Sequence, residues 1–317
     1  MWHRIQNPGL DLIRMMNDVM SGAQTRNPQL FPNVRTSHTI LLTSNYSGHH
    51  DTARFESYSF LLTTPESWSA WEQYRAKWRS QLPADARGRR MSYKNLNDGY
   101  RQQALPHLLA AAGGLHGLSF TVLVDRSLRN LFVDGSVASF LTQRGRFNEW
   151  GTATLEKLFR VVTFAALLVA GFSGDGQHII WVTDEDDIAA NYKKLDEFTC
   201  AFGATLRRLL SHDIGSVQCC TTELDVNLEL EDLVAIPDLI AGTLSELLAA
   251  YQRAGVSLGS VIAPPPADLA SKARFPMDWI SDPRQALKRF VMSIELAYGT
   301  TQLLAKHIVF HSSIPPD

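Results

Sequence analysis

Short apolar runs bounded by turn residues alternate along the chain with longer segments of helical spacing. Thr39–Ser44 (TILLTS) is a compact strand-like run, and Asn45-Tyr46-Ser47-Gly48 after it is a turn signal. Glu56–Thr64 (ESYSFLLTT) is a second strand, close enough to pair with the first as a long hairpin. Leu118–Val124, His178–Thr183 and Gly215–Thr221 read as three more. Pro65-Glu66-Ser67 opens a helix to about Leu82 that carries Trp68, Trp71 and Trp78 as one stripe. Further helices are predicted over Tyr100–Ala112, Glu149–Phe172, Ile188–Ser211 and Glu231–Arg253, with a basic loop or short strand at Arg87–Asp98. Pro264-Pro265-Pro266 breaks the chain, and Asp282–Lys306 is predicted to be a last helix. Paired strands followed by alternating strands and helices indicate an α/β fold with a mixed sheet and helices on both faces. The predicted parts are an N-terminal helical arm (residues 1–36), the α/β domain (37–253) and a C-terminal helical extension (254–317) packed on it.

Composition narrows this picture. The 317 residues are 45% apolar and 20% charged, enough for a sizeable core, and a formal charge of −2 excludes a polycation that holds nucleic acid by bulk charge. Charge is nevertheless uneven. Glu72–Arg101 carries eight Lys/Arg against three acids, whereas Asp175–Asp238 carries fourteen acids against four bases. That asymmetry suits either a polyanion beside metal-binding carboxylates or two solvated faces of opposite sign. Three cysteines (Cys200, Cys219, Cys220) form no CxxC pair and fit a reducing compartment. The N-terminus lacks the apolar stretch of a signal peptide, and Leu158–Phe172 is shorter than the ~20 residues of a membrane span. A cytoplasmic protein without a membrane span is therefore expected.

Sites in such sheets gather just outside strand ends. Here those positions are Asn45–Asp51, Asp125, Asp184–Asp187 and Thr221–Asp225. Asp238 stands out for a different reason, because it lies inside the apolar run DLVAIPDLIAGTLSELL, where an unpaired carboxylate is costly. A Lys or Arg pairs with it, or a cation does, or Pro237 marks the true start of the helix and Asp238 sits near its N-terminus. A carboxylate after an inner strand (Asp184) and one on a following helix (Asp238) suit Mg²⁺ or Mn²⁺, which take oxygen ligands and bridge phosphates. Arg87-Gly88-Arg89-Arg90, with Tyr93 and Tyr100 nearby, would grip phosphates, or is a plain solvated loop.

The order of elements, the Asn45–Gly48 turn and the late Leu233–Gly242 segment (LVAIPDLIAG) together resemble a widespread prokaryotic family, the domain of unknown function numbered thirty-eight hundred. Its members resemble ribonuclease H-like nucleases. They typically carry Asp-Glu-Ser-Gly after the first strand, a Lys-containing second segment, an Asp after an inner strand and a late Ala-Asp-Leu-Ile-Ala-Gly. On that resemblance Asp238 matches the late Asp, Asp184 the inner-strand Asp, Ser47-Gly48 the first motif's ending and Lys94 the second motif's Lys. Asn45 stands where the first Asp belongs, Tyr46 replaces the Glu, and Tyr93 precedes Lys94 where an acid is expected nearby. An amide brings no charge and cannot act as a base. Three explanations stay open: a degenerate nuclease kept for binding, another acid (Asp51 or Glu56) filling the position, or an Asp-to-Asn change introduced into an active parent.

The resemblance implies a metal-dependent nuclease acting on DNA or RNA phosphodiesters, with Asn45, Asp184 and Asp238 at the centre. Asp184 and Asp238 would hold Mg²⁺ or Mn²⁺, while Arg87, Arg89, Arg90 and Lys94 contact nucleic acid. The alternative is a non-catalytic nucleic-acid- or protein-binding subunit that kept the fold. A protein partner within a multi-gene defence system suits either. Rival chemistries are weaker. His49-His50-Asp51 lacks further zinc ligands, Ser44 and Ser47 lack a nucleophile elbow, and Gly171–Gly176 follows a helix where a phosphate loop would follow a strand. The tryptophan stripe reads as packing in preference to a base-stacking platform.

Overall fold

The computed structural model describes residues 1–6, 8–48, 53–133, 147–223, 225, 227–256, 259, 261–262 and 266–310. His49, His50 and Asp51 lie outside the described residues. The strands are β1 (Thr39–Ser47), β2 (Phe55–Thr63), β3 (Leu118–Asp125), β4 (His178–Thr183), β5 (Val217–Thr221), β6 (Val261–Ile262), β7 (Lys288–Leu296) and β8 (Leu303–Phe310). The helices are α1 (Asp11–Arg26), α2 (Pro65–Gln81), α3 (Ala84–Arg87), α4 (Gly99–Gly113), α5 (Thr152–Phe172), α6 (Tyr192–Leu209), α7 (Glu229–Arg253) and α8 (Ser271–Ser281), with a single 3₁₀ turn at Tyr93–Asn95.

Seven strands form one mixed sheet, and the two-residue β6 extends its β8 edge, in the order β5-β4-β1-β2-β3-β7-β8-β6. The pairs β1–β2 and β2–β3 are antiparallel, whereas β4 runs parallel to both β1 and β5. β7 lies parallel to β3 and antiparallel to β8. Because successive side chains point to opposite faces, the sheet builds two cores. Ile40 and Leu42, with Phe60, Phe120 and Trp181, pack under α1, α5 and α6. Leu61, Leu123 and Val291 pack on the other face with α2, α4, α7 and α8.

Two sequence expectations change. The segment Asp282–Lys306 is no helix: it contains β7 and the start of β8, and the last helix among the described residues is α8, earlier in the chain. The C-terminal part therefore extends the sheet on the β3 edge and is not a helical extension. The Asn45–Gly48 turn also moves, since β1 continues through Ser47 and pairs with Ser57 of β2. Only Gly48 turns, at φ +93°, and a Cβ there would lie 2.5 Å from the Phe55 carbonyl oxygen.

Among the described residues one helix, α7, is long and apolar enough to cross a membrane, yet 83% of that stretch is buried within the fold. α7 packs across β1 and β2 as the central helix of its layer.

Candidate functional site

Asn45 lies on the α7 face of β1, at the alternation Leu41, Thr43, Asn45. Asp184 follows β4, the parallel neighbour of β1, by one residue. Asp238 projects from the third turn of α7. These three line one cavity of about 590 Å³, together with Arg89, Arg90 and Lys94 of the basic segment. Of the residues the sequence singled out, Arg87 is the exception. Its Nε donates to the Leu82 carbonyl at 2.8 Å, and it does not line the cavity.

The geometry answers the puzzle of Asp238. Pro237 does not start the helix, which begins eight residues earlier at Glu229. It sits mid-helix, where its missing N–H leaves the Leu233 carbonyl without the usual donor. The Thr43 hydroxyl of β1 approaches that oxygen at 3.5 Å. Asp238 Oδ2 instead accepts the backbone N–H of Tyr93 at 2.7 Å. One turn on, Gly242 has the Tyr93 ring against it, since a Cβ at Gly242 would stand 2.2 Å from Tyr93 Cγ. Asp238 and Gly242 thus grip the backbone and the ring of one residue, which fixes the neighbouring Lys94. The Lys272 ammonium covers the same ring at 4.4 Å.

The rest of the basic segment is tied just as firmly. Asp232, fully buried on α7, accepts Arg75 Nη1 at 3.1 Å and Arg79 Nε at 2.8 Å. Arg79 Nη1 then donates to the carbonyls of Arg87 and Arg89, each at 2.9 Å. Arg89 pairs with Asp98 at 2.8 Å and Arg90 with Glu231 at 2.9 Å.

Carboxylates crowd the cavity floor. Burial is the largest cause lifting Asp238 to about 6, and nearby Asp184 adds to it while Lys94 and Lys272 oppose. Burial and Asp184 likewise raise Glu231, against Arg90. Asn45 Nδ2 donates to Asp184 Oδ2 at 3.3 Å, and Asn45 Oδ1 accepts the Tyr46 N–H at 2.6 Å. Among the described residues no three His, Cys, Asp or Glu side chains form a group that would hold a metal ion as they stand.

The other candidates fall elsewhere. Glu56 faces the α5 side, accepting Tyr58 Oη at 2.7 Å and Arg160 Nη1 at 2.8 Å, so it does not fill the Asn45 position. Ser44 is buried, its Oγ 2.7 Å from Tyr46 Oη and accepting Trp181 Nε1 at 2.9 Å. Trp71 and Trp78 are core residues, and Gly171–Gly176 spans the end of α5 and the turn after it.

Sequence reasoning missed Glu231 and Arg101, which also line the cavity. Glu231 was findable, because it precedes Asp238 by seven residues and so shares its helix face. No protein-family model matches the chain, and no curated protein matches it.

Proposed function

We propose that the protein binds nucleic-acid phosphodiesters at this cavity and hydrolyses them with Mg²⁺ or Mn²⁺, on a ribonuclease H-like frame. The observation that carries the reading is the convergence of Asn45, Asp184 and Asp238, from three separate elements, beside Arg89, Arg90 and Lys94. The core order β5-β4-β1-β2-β3, an antiparallel meander extended by two parallel strands, supports the frame.

The donor set suits one hard cation better than two. Asp184 and Asp238 offer carboxylate oxygens, Mg²⁺ is commonly held by one or two carboxylates with waters completing its shell, and positive charge would offset both the burial and the lesser Asp184 repulsion that lift Asp238. Asn45 adds an amide where a third charge would be needed. When bound, the cation supplies polarisation of a phosphoryl oxygen and a lowered pKa for its water. The chain's own part is to bind and orient: Lys94 and Arg90 present donors to phosphate oxygens, and the Tyr93 N–H keeps Asp238 aimed.

A second reading, a binding subunit without turnover, is favoured by one contact. The Asn45 amide already donates to Asp184, so the acid has a partner without a metal.

Cleavage of single- and double-stranded DNA and RNA with Mg²⁺ or Mn²⁺ separates the two. Activity in this chain that Asp238→Ala abolishes supports the nuclease. No activity here but a gain in Asn45→Asp assigns this chain to the binding reading. If neither protein cleaves nor binds metal, the nuclease proposal fails.

A further inference from the structure

Buried guanidinium groups in this protein are matched to carboxylates. Arg75 and Arg79 share Asp232, and Arg160 meets Glu156 and Glu56. Arg289, half-buried at the start of β7, has no carboxylate in hydrogen-bond contact. Its Nη2 donates only to the Asp282 backbone carbonyl, and its Nη1 is buried with no hydrogen-bond partner among the described residues. Its guanidinium carbon lies 5.4 Å from the Trp279 ring centre, so one side is closed by an aromatic plane. A buried N–H left without an acceptor is destabilising.

Arg289 lines a second cavity, of about 480 Å³, three strands across the sheet from β1 and sharing no lining residue with the first. Arg26, at the end of α1, and Lys288 line it too. None of these three cations forms an ion pair among the described residues and no Asp or Glu lines the cavity; the Asp282 carboxylate, itself paired with Arg284, acts on Arg289 without a direct contact. His307, stacked on Phe290 with ring centres 4.2 Å apart, adds a neutral imidazole, since burial and the neighbouring Arg26 hold it down to about 4. Ile280, Val291 and Ile308 supply an apolar wall.

We infer that this cavity binds a small phosphate monoester with an apolar or aromatic body, of nucleoside monophosphate size. Three cations without an ion pair, of which only Arg289 feels a nearby carboxylate (Asp282), suit a ligand with more than one negative charge, and a phosphate monoester is close to a dianion at neutral pH. Arginine forks and a lysine suit its oxygens, and the orphaned Nη1 gains an acceptor. The volume falls in the range of small-molecule pockets, and the apolar wall needs something beyond the phosphate to cover it. The inference does not rest on the nuclease reading.

Calorimetric titration of the full chain with adenosine 5′-monophosphate, inorganic phosphate and adenosine tests it. Saturable binding of the monophosphate is expected, weaker for phosphate alone and absent for the nucleoside. Arg26→Ala and Lys288→Ala, which alter cations without buried partners, should each weaken it about tenfold while the thermal unfolding midpoint holds. Arg289→Gln should weaken it further, and Asp238→Ala should leave it unchanged. No saturable binding at ~1 mM ligand, binding indifferent to all three cation variants, or binding lost only in Asp238→Ala would overturn the assignment.

Discussion

Asp238 and Gly242 act as a pair. Both lie on one face of α7, one turn apart, and both engage Tyr93. Gly242→Ala drives a methyl into the Tyr93 ring, and overpacking of this kind costs about 1–3 kcal/mol. The Tyr93 Cβ would itself stand 2.7 Å from the new methyl, so the cost should fall close to zero only when Tyr93 is already Gly, and a double-mutant cycle by urea denaturation measures the coupling. An equal cost in both backgrounds would show that another contact limits Gly242. Asp232 is a harsher case, because it is fully buried and neutralises two guanidinium groups. Asp232→Ala leaves Arg79 without a carboxylate and Arg75 with Glu72 alone, and removal of one partner from a buried ion pair costs about 3–5 kcal/mol. A loss well under 1 kcal/mol in the same assay would contradict this.

Among the elements, α5 is anchored by charge as much as by packing. Glu156, buried in its second turn, accepts the backbone N–H groups of Leu131, Phe132 and Val133 at 2.9, 3.1 and 2.8 Å, and Arg160 Nε at 2.7 Å. Glu156→Gln retains one acceptor oxygen and removes the charge that holds Arg160. Faster amide exchange at Leu131–Val133 is expected, with β1 and β2 still protected; uniform change across the sheet would refute a local role. Element legibility followed local signal. β2 and β4 were clear because dense apolar runs sit between turn residues, and α2 because Pro65 marks its start; Thr64, whose hydroxyl caps it, falls at the end of the run predicted as β2. The β7–β8 hairpin was misread for a physical reason. Phe290, Met292 and Ile294 face one core while Val291 faces the other, so no polar alternation appears, and Ala, Leu and Lys around them favour helix. The candidate site was legible only in part. Asp184 and Asp238 announced themselves, but Asp232 and Arg79 matter through contacts made some 150 residues apart, which no local pattern carries.

For the whole molecule, acid should weaken the fold partly through His307. Its folded pKa of about 4 lies below the ordinary 6.5, so the unfolded chain binds a proton that the native chain refuses. This contribution is complete above pH 6.5 and is lost as pH falls toward 4; solvent screening of the partly exposed ring keeps it to about 1–2 kcal/mol. Asp238 and Glu231, both raised, work in the opposite direction. The comparison must therefore be with His307→Gln, whose stability from pH 7 to pH 4 should fall less steeply than that of the parent. Parallel curves for the two proteins would exclude the imidazole as the cause.

The basic segment is hung between two helices, from α2 by Arg79 and from α7 by Asp238 and Glu231. Its cations therefore stand in place before any ligand arrives. On the proposed binding of nucleic acid, encounter would then be a matter of electrostatic steering toward a finished wall, with little waiting for the wall to form. Added salt should slow association with a polyanion far more than it hastens release. Cutting one suspension point, as in Asp232→Ala, should make the approach itself conditional on a slower rearrangement.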